Sequence, residues 1–222
     1  MNPLLRVEFH CHTRFSKDSL AKPEALLAAC RKKGIDRLVI TDHNTTAGAV
    51  YARRIDPERV IVGEEIMTQA GELLAFFVEE EVPEGLPPLA AVKRLHAQGA
   101  FISVSHPFDH HRKGHWTEAQ LLEILPYLDA IEIFNARCLN PAHNDQAAAF
   151  SRLHNLAGTV GSDAHAVFEA GRATLRLPPF NDAAGLRRAI SQAEAHCKLS
   201  SPLVHFTSRL AVWYKQVGKI IK

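Results

Sequence analysis

Residues 4–12 read LLRVEFHCH, an apolar-rich run that ends in His10-Cys11-His12. The same construction recurs at 37–43 (RLVITDH), 60–65 (VIVGEE), 101–106 (FISVSH) and 159–165 (TVGSDAH). Five separate β-like runs thus each finish in a residue type that binds metal ions. Between them lie amphipathic stretches of helical period. The spacing predicts helices over about 23–33, 46–54, 88–98, 117–125, 142–155 and 182–193, with further strands at 73–78, 130–134 and 172–177. Pro23 suits a first helical turn and Gly34 a stop, and Asn181 is the expected N-cap of the helix that follows it. Short apolar runs separated by helices read as βα units around a largely parallel sheet. About seven units in 222 residues fit a small barrel better than an open sheet.

In such a barrel the C-terminal ends of all strands meet on one face, where active sites are built. Residues distant in sequence then converge on one small volume. Residues i and i+2 of an extended strand point the same way, so His10 and His12 can share one ion, as can Asp163 and His165. Adjacent Asp42 and His43 point apart. His43 is the better ligand candidate, with Asp42 orienting a neighbour. A lone His-x-His occurs often by chance, but five strand-end clusters of mixed His and carboxylate do not. Burying several carboxylates together is costly unless cations offset the repulsion. A multinuclear metal site is therefore expected.

Composition bounds the remainder. The chain is 46% apolar and carries a formal charge of +2, which fits an ordinary globular core and argues against long nucleic acid as a partner. No apolar run is long enough to span a membrane, and the N-terminal residues lack a signal-peptide core. The four cysteines form no CxxC pair, so a reduced cytoplasmic chain is the default expectation. No linker or repeat interrupts the pattern. One domain over residues 1–222 is expected, with its core at 4–177, a helical tail from about 182, and room for a small insertion near 107–127. Thirteen histidines are present, and only His10, His12, His43, His106 and His165 sit at strand ends. His96, His143, His154 and His196 fall on expected helices, with surface or packing roles. His110, His111 and His115 fall in a polar loop expected to overhang the site. The basic tail at 208–222 places Leu210, Trp213 and Val217 on one helical stripe, expected to pack back on the domain or on a second subunit in a homo-oligomer.

The segments FHCHTRFSKDS (9–19), GIDRLVITDHNTTAG (34–48), GEEIMT (63–68), SHPFD (105–109), IEIFNAR (131–137) and GSDAHA (161–166) resemble the PHP (polymerase and histidinol phosphatase) domains. The resemblance covers residues 4 to about 177. It implies a distorted, TIM-like (β/α)7 barrel of the α/β class, with two or three divalent ions (zinc, manganese or iron) at the C-terminal ends of the strands. By motif, His10, His12, Glu65 and Asp163 would hold a first ion. Glu65 fits the family pattern Gly-x-Glu better than Glu64 and would bridge to a second ion that takes His106. A third position would use Asp18, His43 and His165. Two departures stand out. Asp18 occupies a position where several members carry histidine, and Glu72 is the candidate where a further histidine is common.

The implied activity is hydrolysis of a small phosphorylated substrate (a mononucleotide, a bisphosphate or a short oligonucleotide), with Asp163, His43 and Glu65 carrying catalysis. Arg14, Lys17, Arg112 and Arg137 are candidate phosphate contacts, and Asn135 faces either a ligand or the substrate. Two alternatives differ in class. An amidohydrolase would cleave a C–N bond but typically adds a strand-borne bridging lysine, which has no match here. A non-catalytic interaction module would have no need of so full a ligand set.

Overall fold

The computed structural model describes residues 3–220. Nine strands and seven α-helices alternate along it. The first half runs β1 (Leu5–Glu8), α1 (Pro23–Lys32), β2 (Arg37–Ile40), α2 (Ala47–Ile55), β3 (Val60–Met67), β4 (Glu72–Phe76), α3 (Pro88–Ala97) and β5 (Phe101–Val104). The second half runs α4 (Glu118–Ile124), β6 (Ala130–Asn135), α5 (Pro141–Leu153), β7 (Ala157–Gly161), β8 (Ala173–Leu177), α6 (Ala183–Ala189), β9 (Glu194–Cys197) and α7 (Val204–Ile220). Helix starts follow local chemistry. Pro23 opens α1, and Gly34, at φ +64°, lets the chain turn back after it. Thr117 and Gln120 close a reciprocal capping box on α4. Asp182, rather than the expected Asn181, caps α6 by accepting from the Gly185 N–H.

The strands form a seven-stranded sheet in the order β5-β4-β3-β2-β1-β8-β9, curled into a half-barrel, with β6 and β7 as a separate parallel pair. The sheet is mixed rather than largely parallel. Only β1–β2 and β2–β3 run parallel within it, while β3–β4, β4–β5, β1–β8 and β8–β9 are antiparallel. The reason is local. A tight turn at Thr68–Gly71, closed by the Thr68 hydroxyl on the Gly71 carbonyl at 2.6 Å, makes β3 and β4 a hairpin, with no helix between them to return the chain for a parallel pairing. The closed (β/α)7 barrel is therefore not what strand pairing draws: among the described residues no ladder joins β5 to β6 or β7 to β8. Isolated contacts link the pieces instead. Cys11, just past β1, bridges Ala164, just past β7, and the Asp129 N–H before β6 donates to the Ile102 carbonyl at 2.9 Å.

Apolar side chains fill both faces of the sheet. Leu38, Ile40, Ile66, Leu73 and Ile102 pack toward the helices in one cluster, and Phe9, Leu74, Phe76, Phe101 and Leu175 pack in the other. The C-terminal end departs from expectation in two places. His196 lies on β9, not on a helix. The stripe of α7 does not pack back on the domain: Leu210 is 59% and Trp213 60% exposed, while Val204 and Ala211 are the buried contacts, which leaves a second subunit as the remaining expected cover. No helix among the described residues is long and apolar enough to cross a membrane.

Candidate metal centre

The ligand-type residues do meet at one rim. His10 and His12 lie just past β1 and His43 just past β2; His106 follows β5, and Asp163 and His165 follow β7. Glu65 lies inside β3 rather than at its end, because the hairpin lengthens that strand. Glu72 opens β4, and an antiparallel strand begins at the rim where a parallel one would finish. His10 Nε2 and His12 Nε2 are 3.1 Å apart, and each lies within 3.4 Å of Glu65 Oε2. Asp163 Oδ1 is 3.2 Å from His12 Nε2. On the other side of Glu65, His106 Nε2 is 3.3 Å from Oε1 and 3.4 Å from Glu72 Oε2. His43 Nδ1 is 3.0 Å from Glu65 Oε2, and its Nε2 is 3.4 Å from Asp18 Oδ2, which also lies 3.2 Å from His165 Nε2. Glu65 is therefore the shared centre of the group.

Backbone strain marks the same rim. Asp163 (φ +51°) and His106 (φ +24°) are non-glycine residues in left-handed conformations, which cost on the order of 1–3 kcal/mol each. Both carry side chains that reach the cluster, Asp163 at His12 and His106 at Glu65 and Glu72. Gly161 leaves room for His10 and Glu132, which a Cβ at that position would overlap.

The electrostatics explain how so many charges share one volume. Burial alone would raise Glu65 and Asp163, yet His10 and His43 hold Glu65 well below the carboxylate range, and Arg112 and His10 do the same for Asp163. Burial opposes charge on His43, but Glu65 and Asp18 outweigh it and raise the ring to about 10. His12 goes the other way, to about 3, through burial and the neighbouring His165 and His43 rings. Burial and the charge of Glu65 push Glu72 up. Several ligand atoms have no hydrogen-bond partner: Asp18 Oδ1, Glu65 Oε2, His106 Nε2 and Asp163 Oδ1 are buried and unpaired. Buried polar atoms are rarely left so. Hard and borderline donors pointing at common points fit divalent cations, and three overlapping groups satisfy the geometry: His10–His12–Asp163, His12–His43–His165 and His43–Glu65–Glu72.

A layer of partners fixes these donors. Asp42 accepts from the Thr13 N–H at 2.7 Å and from the Thr13 and Ser16 hydroxyls at 2.6 Å each, and Ser16 Oγ then meets His12 Nδ1 at 3.1 Å. Asp42 thus orients the turn that carries His12. Glu132 on β6 holds His10 Nδ1 at 2.9 Å, and Asn135 joins Glu132 Oε2 (3.0 Å) to Asp163 Oδ2 (3.2 Å). Glu8 accepts from the Ser162 and Gly171 N–H groups at 2.9 Å each, which ties β1 to the loop bearing Asp163. Glu132 and Glu8 were missed in the sequence. The available signal was an acid inside an apolar strand, and Glu8 shares its side of β1 with His10 and His12.

The candidate phosphate contacts separate. Arg112 Nη2 lies 2.6 Å from Asp163 Oδ2 at the mouth of the cluster. Lys17 lines the same cleft, of about 720 Å³. Arg14 is exposed, with its guanidinium over the Phe15 ring at 5.9 Å, away from that lining. Arg137 is buried and engaged: its Nη2 donates to the Val204 carbonyl (3.0 Å) and Ser208 Oγ (2.8 Å), so it braces α7. That helix supplies part of the cleft wall through His205, Phe206 and Arg209. His205 was not singled out in the sequence, where a helical histidine far from every motif carries no signal. Its Nε2 donates to the Arg137 carbonyl at 3.0 Å.

The model of the PHP domain family matches residues 8–122, and that of the PHP-associated region matches residues 141–195. The chain belongs to the PHP family. It is 34% identical over 180 residues to the uncharacterized protein MJ0417 of Methanocaldococcus jannaschii, spanning 80% of this chain and 72% of that one. Among solved structures, a two-domain Bacteroides vulgatus protein described as containing a predicted PHP-like metal-dependent phosphoesterase superposes with TM-score 0.71 at 21% identity, over 88% of this chain and 65% of that one. PsfC of Pseudomonas syringae gives TM-score 0.70 at 17% identity, over 96% and 99% of the two chains. The rim residues His10, His12, His43, Glu65 and His106 lie within the stretch matched by the PHP domain model, and Asp163 and His165 within that of the PHP-associated region.

Proposed function

We propose that the chain is a metal-dependent phosphoesterase acting on small phosphorylated substrates. The observation that carries this reading is the set of buried, unpaired donor atoms converging around Glu65. His10, His12, Glu65 and Asp163 would hold one divalent ion, Glu65 with His106 and Glu72 a second, and Asp18, His43 and His165 a third. Such ions, when bound, activate water as a nucleophile near neutral pH and offset charge building on phosphate oxygens. The protein's own groups do the rest. Arg112 presents a guanidinium beside Asp163, suited to a phosphate oxygen, and Lys17, Lys113 and Arg209 add positive charge around the same cleft. Asn135 and Glu132 keep Asp163 and His10 in register, so that little reorganisation accompanies the reaction.

A cleft of about 720 Å³ suits a mononucleotide-sized or smaller molecule, or the end of a short oligonucleotide, better than a long duplex. Four free cysteines fit a reducing cytoplasmic setting.

The test is elemental analysis of the purified protein, followed by phosphomonoester and phosphodiester panels with added manganese, zinc or iron. Stoichiometric metal and turnover that is lost in Asp163→Ala are expected. A protein without stoichiometric metal that turns over no phosphoester under any metal overturns the reading.

A further inference from the structure

A second group of ligand-type side chains lies beside the strand-end cluster. Asp109 belongs to the loop after β5, Cys138 follows β6, and His143 stands in the first turn of α5. One donor atom from each falls within 4.8 Å of the other two. Asp109 and Cys138 are buried, and the His143 side chain is only 13% exposed. His143 Nδ1 lies 3.3 Å from Asp109 Oδ1, which is about the edge of a tetrahedron whose bonds to nitrogen and oxygen are each about 2.0 Å. That ring nitrogen is buried and has no hydrogen-bond partner. Asp109 uses its other oxygen for Arg112, whose Nε is 3.2 Å from Oδ2. The Cys138 thiol donates to the Asn140 carbonyl at 3.2 Å, whereas the imidazole nitrogen has the Asp109 carboxylate beside it but no hydrogen bond.

We propose that Asp109, Cys138 and His143 form a separate site for one borderline-soft divalent ion of the zinc class. Thiolate, imidazole and carboxylate are the donor types such an ion prefers, and the strand-end cluster contains no thiol. Water, or one of the neighbouring His110 and His111 rings, whose centroids stand 5.4 and 5.7 Å from that of His143, completes four-coordination. Burial pushes the Cys138 thiol up to about 11, so binding exchanges the S–H bond for a metal–sulfur bond and releases the proton to solvent. Thiolate and carboxylate together then balance the dication.

The ion would join the loop after β5 to β6 and α5. Arg112 is carried on that loop and spans Asp109 and Asp163. An ion at Asp109 would therefore fix the position of the arginine at the mouth of the main cluster.

Cobalt(II) loading of the full chain separates the two sites, because only a thiolate ligand gives a sulfur-to-cobalt charge-transfer band in the near ultraviolet. The band is expected in the unmodified protein and in Cys197→Ser. It should be lost in Cys138→Ser, together with one equivalent of bound metal. His143→Ala keeps the thiol and guards against misfolding of the cysteine variant; there the band should vanish or need at least about 10-fold more cobalt. A protein saturated with cobalt that shows no such band overturns the proposal. So does a band that survives Cys138→Ser, or one that titrates unchanged in His143→Ala. None of these readouts depends on turnover, so they stand apart from the phosphoesterase assay.

Discussion

Glu64 and Glu65 are consecutive on β3, equally buried, and point to opposite faces of the sheet. Glu65 faces the rim cluster, where His10, His12, His43 and His106 all lie within 3.4 Å of its oxygens. Glu64 faces the other side, where the Val82 N–H donates to Oε2 at 3.0 Å and Oε1 has no partner. Burial acts on both alike. It pushes Glu64 up to about 7, whereas imidazolium neighbours hold Glu65 well below the usual range. The same residue at the same depth is thus a neutral acid on one face and an anion on the other. Strand alternation alone makes that assignment, and a one-residue register slip would reverse it.

The sharpest way to break the contrast is Glu65→Gln. It keeps the shape and removes the charge at the shared centre of the cluster. Losing a residue that merely orients a ligand typically costs about 10–100-fold in metal affinity, so loss of Glu65 should exceed about 100-fold. Equilibrium dialysis against manganese or zinc measures this, and near-normal affinity would contradict the central place given to Glu65. Glu132→Gln comes next. It leaves His10 in place but weakens the bond that orients its ring, and a loss of about 10–100-fold in affinity is expected by the same measurement.

Asp42→Asn should act mainly on folding. The carboxylate serves four donors from Thr13 and Ser16, and an amide accepts through only one of its two atoms, so at least one buried donor is stranded at about 1–3 kcal/mol. Urea denaturation without added metal reads this cost. A midpoint equal to that of the unmodified protein would show that the Thr13–Ser16 turn does not depend on the charge.

The contrast also shows what was legible in the sequence. Runs such as RLVITDH and FISVSH announced both a strand and its functional end, because apolar period and ligand chemistry coincide there. His10 with His12 followed from the two-residue period alone. Choosing Glu65 over Glu64 did not: both sit at the end of the visible run, and the choice came from the family pattern. The sheet order was illegible for a different reason. The Thr68–Gly71 turn that reverses β4 is four residues long, and its Gly71 packs against the Trp116 indole far along the chain. A link that short admits only an antiparallel pair, but β3 runs on to Met67, past the apolar run that the sequence shows, so the shortness of the link was hidden. The part of α7 that walls the cleft was hidden likewise, since its place depends on the buried Arg137 that holds it.

The smallest effect on the metal cluster is expected at Glu64→Gln, and the pH dependence of its effect on stability has a definite sign. In the folded protein Glu64 keeps its proton up to about pH 7, whereas an unfolded glutamate releases it near 4.3. Between those values the folded state holds the extra proton, so the contribution of this group to stability is complete below the lower value and is lost as pH rises through the upper one. Glutamine cannot ionise and removes that slope while still accepting from the Val82 N–H. Metal binding at Glu65 should be unaffected, because the substitution lies on the opposite face. The unmodified protein should therefore lose thermal stability relative to Glu64→Gln as pH is raised from about 5 to about 8, with other titrating groups cancelling in the difference. A difference that stays flat across this range would mean that water or a cation reaches the outer face of β3 and keeps Glu64 ionised. The two faces would then differ in their ligands and not in their access to charge.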